Sequence, residues 1–290
     1  MFLPKRVLEE KLQKFLEEDL GQGDVTTAAT IPEDTSLEAI VVAKEAGTVA
    51  GLEEAKVFLE HFGLSVETKV SDGADVKPRT VLLRITGNAR TLLSLERTLL
   101  NLLSRMSGIA TTTYRVVKKV KEAGYATRIV CTRKVAPGLT YFDRKAVMMG
   151  GGGLHRLHLD DMLLIKDNHI ATVGGLEEAI KRAKKAASFS KKIEVEVSTL
   201  NDAIKAANMQ VDIVMLDNFT PDQIRKTLKA LGKDNPGSKI TVEASGGINE
   251  KNVLEFAATG VDILSLGEIT QSPRALNISL EVTGVDRQRK

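Results

Sequence analysis

At 290 residues the chain is long for one hydrophobic core, but it suits a large α/β barrel carrying a smaller domain. With 42% hydrophobic and 27% charged residues and no low-complexity tract, it can bury a sizeable core, which excludes a disordered chain. Forty-one Lys and Arg against 38 Asp and Glu leave only +3, and an aromatic content of 4% without Trp offers few rings for stacking bases, so nucleic acid is excluded as the main partner. The lone Cys131 allows no internal disulfide, no stretch approaches the roughly 18 apolar residues that span a bilayer, and the amino terminus, MFLPKRVLEEKLQKF, is charged throughout. A cytoplasmic protein with no membrane partner is expected.

In chain order, Leu8, Leu12, Phe15 and Leu16 predict an amphipathic helix over 4–20, ended by Gly21 and Gly23. Residues 24–27 turn the chain. Runs rich in β-branched residues at 37–43, 48–50, 65–70 and 80–85 surround a helical stretch at 52–62, which predicts an α+β sandwich domain. Residues 89–122 keep apolar positions at a period of 3.6 and predict one long or kinked linking helix, Gly108 being the place where a break could fall. From Gly124 onward, apolar strands at 126–131, 162–165, 193–197, 212–216, 240–244 and 262–266 alternate with helices. That pattern implies a parallel sheet. We expect an amino-terminal α+β sandwich with its linking helix over 1–123, an incomplete parallel α/β barrel of six to seven strands over 124–271, and a tail, 272–290, packing back on the first domain.

Polar residues cluster at the carboxyl ends of those strands: Arg133 and Lys134, Lys166, Glu196, Asp217, Ser245-Gly246-Gly247 and Gly267. In a barrel such ends share the rim that carries the active site. Arg156, from the run GGGGLHR at 150–156, adds another cation, and so many fixed positive charges repel one another without an anion. A polyanionic ligand is expected. The spacing of His155, His158 and His169 with Asp160 or Asp161 fits no common zinc pattern. Glu194 and Glu196 share one face of their strand, where buried carboxylates need partners; at least one should balance Lys134 or Lys166, or stabilise a cationic transition state. Asp217 sits where a strand opens into a loop, placed for a substrate hydroxyl or a metal ion, or for starting a turn with Asn218. The two glycine loops after the last strands, EASGGI and SLGE, can aim free N–H groups at a phosphate. Cys131 reads as buried packing.

Eight segments carry a wider resemblance: EEDLGQGDVTT, ERTLLNLLSRMSGIAT, TRKVAPGL, GGGGLHRLHLDDMLLIKDNH, EVEV, LDN, EASGGI and GVDILSLG. Over nearly its whole length the chain resembles the quinolinate phosphoribosyltransferases. The resemblance implies an amino-terminal α/β sandwich joined to an incomplete barrel, and transfer of a phosphoribosyl group from phosphoribosyl pyrophosphate to quinolinate with loss of CO2, in de novo NAD synthesis with magnesium. It implies quinolinate binding by Arg133, His155, Arg156 and Lys166, with Arg97 entering from the partner subunit of a homodimer or higher even oligomer. Lys134, Glu196 and Asp217 match positions around the donor, Glu196 and Asp217 holding magnesium directly or through water. Ser245, Gly246, Gly247 and Gly267 match the phosphate loops. Val135, Thr140 and Gln271 depart from the commonest family residues. A paralogue associated with molybdate transport resembles the same family, and a phosphosugar-binding regulator would also keep the phosphate loops.

Overall fold

The structure, a computed structural model, describes residues 3–233 and 240–286. The first part of the chain forms α1 (Lys5–Leu20), α2 (Val25–Thr30), β1 (Ser36–Ala43), β2 (Gly47–Thr48), α3 (Leu52–His61), β3 (Ser65–Thr68), β4 (Asp75–Val76), β5 (Val81–Asn88) and α4 (Ala89–Glu122). There follow β6 (Arg128–Cys131), α5 (Thr140–Met149), β7 (Gly153–Leu154), β8 (Leu163–Ile165), α6 (Asp167–Val173), α7 (Leu176–Ala186), β9 (Ile193–Val197) and α8 (Leu200–Asn208). The last are β10 (Ile213–Asp217), α9 (Pro221–Ala230), β11 (Thr241–Ser245), α10 (Val253–Ala257), β12 (Ile263–Leu266), α11 (Glu268–Gln271) and β13 (Ile278–Asp286). They group into two compact units. Unit 1 comprises Met1–Tyr114, Pro137–Gly151 and Pro273–Lys290, and unit 2 comprises Arg115–Ala136 and Gly152–Ser272.

Unit 1 is built on an antiparallel sheet in the order β13-β1-β5-β3. Leu37, Ala39 and Val41 of β1 alternate into the core, as a half-buried strand requires. The core is completed by Leu8, Leu12 and Leu16 of α1, Phe58 and Leu59 of α3, and Leu92, Leu95, Leu99 and Leu103 of α4. Of the two forms expected, the long helix is the one found, running through Gly108 without a break. A Cβ there would collide with the carbonyl of Arg274, so the glycine admits a close backbone approach while the helix continues. The strand expected at 48–50 shrinks to β2, which pairs with β4.

Unit 2 is a parallel α/β sheet of seven strands in the order β7-β6-β12-β11-β10-β9-β8. In chain order the strands run around an incomplete barrel, with the break between edge strands β7 and β8. Six of them coincide with the expected strands, and the seventh, β7, is only two residues long. The face carrying Val195, Val197, Val214, Leu216, Val242, Ala244, Leu264 and Leu266 is buried and wholly apolar, as a helix-covered parallel sheet demands. The opposite face, by register Glu194, Met215, Glu243 and Ser265, turns into the barrel. Among the described residues no helix is long and apolar enough to cross a membrane.

Candidate active site

The barrel interior is charged. His155, two residues beyond Gly153 of β7, points its ring inward, with Nε2 3.0 Å from Glu194 Oε2 and 3.6 Å from Glu243 Oε1. Ser265 Oγ donates to Glu243 Oε1, while Glu194, fully buried, accepts no well-aligned hydrogen bond. Burial first, and the neighbouring Glu194 charge second, push Glu243 up to about 7. Burial would lower the His155 pKa, but Glu194 and then Glu243 outweigh it and raise the value. The backbone N–H of Arg156 donates to His155 Nδ1 at 2.7 Å, which leaves the neutral ring's proton on Nε2. These three side chains lie close enough to grip a metal ion, yet the nitrogen facing the carboxylates is the one holding the proton. The cluster is an imidazole held between two buried carboxylates beneath the rim.

Cations crowd the rim above it. Arg156 donates from Nη1 to Met162 O at 3.2 Å, and burial, followed by repulsion from Arg133, holds its guanidinium below the ordinary value. Lys166 directly follows edge strand β8, so Arg156 and Lys166 come from the two sides of the break in the sheet. Lys166 Nζ donates to Glu196 Oε2 at 2.7 Å, one of the two lysine pairings expected for these strand carboxylates. Glu194, in contrast, faces the interior histidine. His169 caps α6 by accepting the Lys166 N–H at 3.0 Å, and Asp161 accepts the backbone N–H groups of Leu157 and His158. Those two residues hold loops, and His158 is exposed.

Two cavities open on the same rim. One, of about 360 Å³, is lined by Thr132, Lys134, Ser245, Gly246, Gly247 and Gly267, with Glu268 and Gln271 also on its wall. The Lys134 chain runs along Gly267, its Cδ 3.3 Å from where a Cβ would stand. The helices that follow these loops, α10 and α11, have only five and four residues, so loop N–H groups rather than long helix dipoles front the cavity. The second, of about 430 Å³, is lined by Glu196 and Asp217 with Asp167, Asp202 and Lys205. Asp217 is the register partner of Ser245, which makes the two cavities neighbours.

A basic patch, a carboxylate-lined cavity and a glycine-walled cavity thus share one rim, on a barrel with one break. The family model described as the C-terminal domain of quinolinate phosphoribosyl transferase matches residues 109–281, and its N-terminal-domain counterpart matches residues 24–107. The chain belongs to this family. A Methanocaldococcus jannaschii protein named "Probable nicotinate-nucleotide pyrophosphorylase (carboxylating)" is 45% identical over 273 residues, covering 93% of this chain and 95% of that protein. The nicotinate-nucleotide pyrophosphorylase (carboxylating) of Mycobacterium leprae is 38% identical over 278 residues, covering 94% and 96%. The solved nicotinate-nucleotide pyrophosphorylase of Francisella tularensis superposes with a TM-score of 0.89 at 33% identity, covering 97% of this chain and 98% of that one.

Arg133, Lys134, His155, Arg156, Lys166, Glu196, Asp217, Ser245, Gly246, Gly247 and Gly267 all lie in unit 2. Arg97 lies in unit 1, exposed on α4. Sequence reasoning passed over Glu243 and Ser265, whose inward direction follows from strand parity once β11 and β12 are paired. It also passed over Thr132, whose hydroxyl accepts the Lys134 N–H at 3.2 Å.

Proposed function

We propose that the protein transfers the phosphoribosyl group of phosphoribosyl pyrophosphate to quinolinate with loss of CO2, giving nicotinate mononucleotide and pyrophosphate in NAD synthesis. The names of its relatives support this reading, and one observation carries it: Arg133 and Arg156 repel each other on a rim that also offers Lys166 and a glycine-walled cavity. A dicarboxylate answers the first feature and a phosphorylated donor the second.

In this reading Arg133, Arg156 and Lys166 pair with the two quinolinate carboxylates, with His155 forming the floor behind Arg156. Lys134, Ser245 and the N–H groups at Gly246, Gly247 and Gly267 hold donor phosphates. As the bond from ribose C1′ to pyrophosphate breaks, positive charge develops on the sugar, and the carboxylates of Glu196 and Asp217 stabilise it. The pyridine nitrogen supplies the electron pair for the new bond to C1′ and becomes cationic. The bond from the ring to the adjacent carboxylate then breaks, CO2 leaves, and the electron pair stays on the ring carbon beside the cationic nitrogen until a proton arrives. Oxygen donors in the Glu196 and Asp217 cavity suit magnesium, which when bound would offset the charge of the departing pyrophosphate.

Arg97, exposed on α4, is assigned to the acceptor site of a second copy, which makes an even oligomer the active form. Subunit exchange between Arg97→Ala and Lys166→Ala chains should then restore activity, because each mixed dimer has one intact site. The protein is placed in the cytoplasm. Incubation with quinolinate, phosphoribosyl pyrophosphate and magnesium should yield nicotinate mononucleotide and CO2 in equal amounts. Absence of both products from folded protein would refute the assignment.

A further inference from the structure

Asn218 follows Asp217 at the end of β10 in a backbone conformation that, glycine apart, Asn and Asp adopt most readily. Its φ is +57°, in the left-handed region, where glycine is the least strained residue. Two features account for a side chain there. The amide Nδ2 donates to Asp217 Oδ2 at 2.7 Å, an assignment the chemistry fixes, since a carboxylate can only accept. The same amide lies against Gly246: a Cβ on that glycine would collide with Asn218 Oδ1, 2.7 Å from Cγ and 2.8 Å from the backbone nitrogen. Gly246 is itself left-handed, at φ +94°. Between the two, the Asn218 N–H donates to Ser245 O at 2.9 Å, extending the β10–β11 ladder by one bond.

From this geometry we infer that Asn218 is a positioning residue that joins the Asp217 carboxylate to the 245–247 loop, so that the carboxylate cavity and the phosphate cavity hold their donor as one unit. With Oδ2 occupied by the amide, Asp217 keeps Oδ1 for a ribose hydroxyl or a metal-bound water. The carboxylate cannot swing without breaking that bond, and the loop cannot close over the position of Asn218. Gly246 is required as much by this neighbour as by its own φ. The inference rests on the phosphoribosyl-transfer reading and adds to it a residue that touches neither the acceptor patch nor any cation of the rim.

Asn218→Gly separates the two roles of the residue, because glycine keeps the left-handed turn and loses the amide. Asn218→Asp keeps shape and tolerance of the turn but exchanges the donor for a second carboxylate. Calorimetric titration with phosphoribosyl pyrophosphate and magnesium, alongside phthalate as an unreactive dicarboxylate, reads the two subsites independently of turnover. Both variants should melt within a few degrees of the parent and bind phthalate as it does, while affinity for the donor falls roughly tenfold or more, the weight of one hydrogen bond to a charged group. The donor KM should rise with it, more than kcat falls. Parent-like donor affinity in Asn218→Gly would reduce the residue to a turn former and overturn the inference. A parent protein that binds phthalate but no donor would instead defeat the phosphoribosyl reading, and this inference with it.

Discussion

Both units bury charge, and they do so differently. In unit 1 the charges are matched. Arg105 donates to both oxygens of the buried Asp143 at 2.7 and 2.8 Å, and Lys145 donates to Glu54 at 2.6 Å while Tyr141 donates to the same carboxylate at 2.9 Å. Burial would lower the Lys145 pKa, but Glu53 and Glu54 outweigh it and hold the ammonium charged. In unit 2 two buried carboxylates, Glu194 and Glu243, share one imidazole, and one of them accepts no well-aligned hydrogen bond. The contrast teaches what each set of charges is for. Matched pairs fix helices α3, α4 and α5 to one another. The carboxylates of unit 2 instead gather around one imidazole beneath a rim of cations.

The comparison can be broken first in unit 1. Glu54→Ala removes a fully buried carboxylate from Lys145 and Tyr141, and should cost about 3 kcal/mol of stability in chemical denaturation. Acceptor kinetics of the folded protein should be unchanged.

On the rim the effect should fall on catalysis instead. Lys166→Ala or Arg156→Ala should leave the melting temperature near its parent value but lower kcat/KM for quinolinate by about 30-fold or more, as expected when a charge loses its partner at a cost of roughly 2–5 kcal/mol. Losses below about threefold in both variants would show the anion site to be misplaced.

The smallest effect sharpens the contrast through pH. Glu243 stands at about 7 in the fold against 4.5 as its ordinary value, and His155 is raised as well, so the folded protein holds protons that the unfolded chain releases. Their contribution to stability is fully present below about pH 4.5 and is lost as pH climbs through 7. Glu243→Gln should flatten this loss in melting curves between pH 5 and 8. Glu54→Gln in unit 1 should leave its slope intact.

Much of unit 2 could be read directly from the chain, because apolar strands alternating with helices mark a parallel sheet and put Arg133, Lys166, Glu196 and Asp217 at strand ends. What escaped was what depends on pairing. β7 is a two-residue strand beside a glycine run, with no periodicity to betray it, and without it the parity that turns His155 inward is invisible. β13 pairs with β1, Ser36 opposite Asp286, across nearly the full length of the chain, and NISLEVTG gives no sign of its partner. Gly108 left a break open where it serves close packing, since composition cannot distinguish a glycine that bends a helix from one that admits a neighbour. The clamp at Asn218 was hidden for a related reason: an Asn after a strand most often starts a turn, and only the position of Gly246 shows a second use.

On the proposed reading the rim of unit 2 takes a two-carboxylate acceptor, which steady-state rates with quinolinate and nicotinate can check. Nicotinate lacks the carboxylate beside the ring nitrogen and would forgo the contacts this group makes with the cations of the rim. Sites built to bind a polar group reject analogues lacking it by up to about 10⁴-fold. Negligible turnover of nicotinate beside rapid turnover of quinolinate is the predicted result. Comparable kcat/KM for the two would contradict the dicarboxylate site and turn attention to Val135 and Thr140.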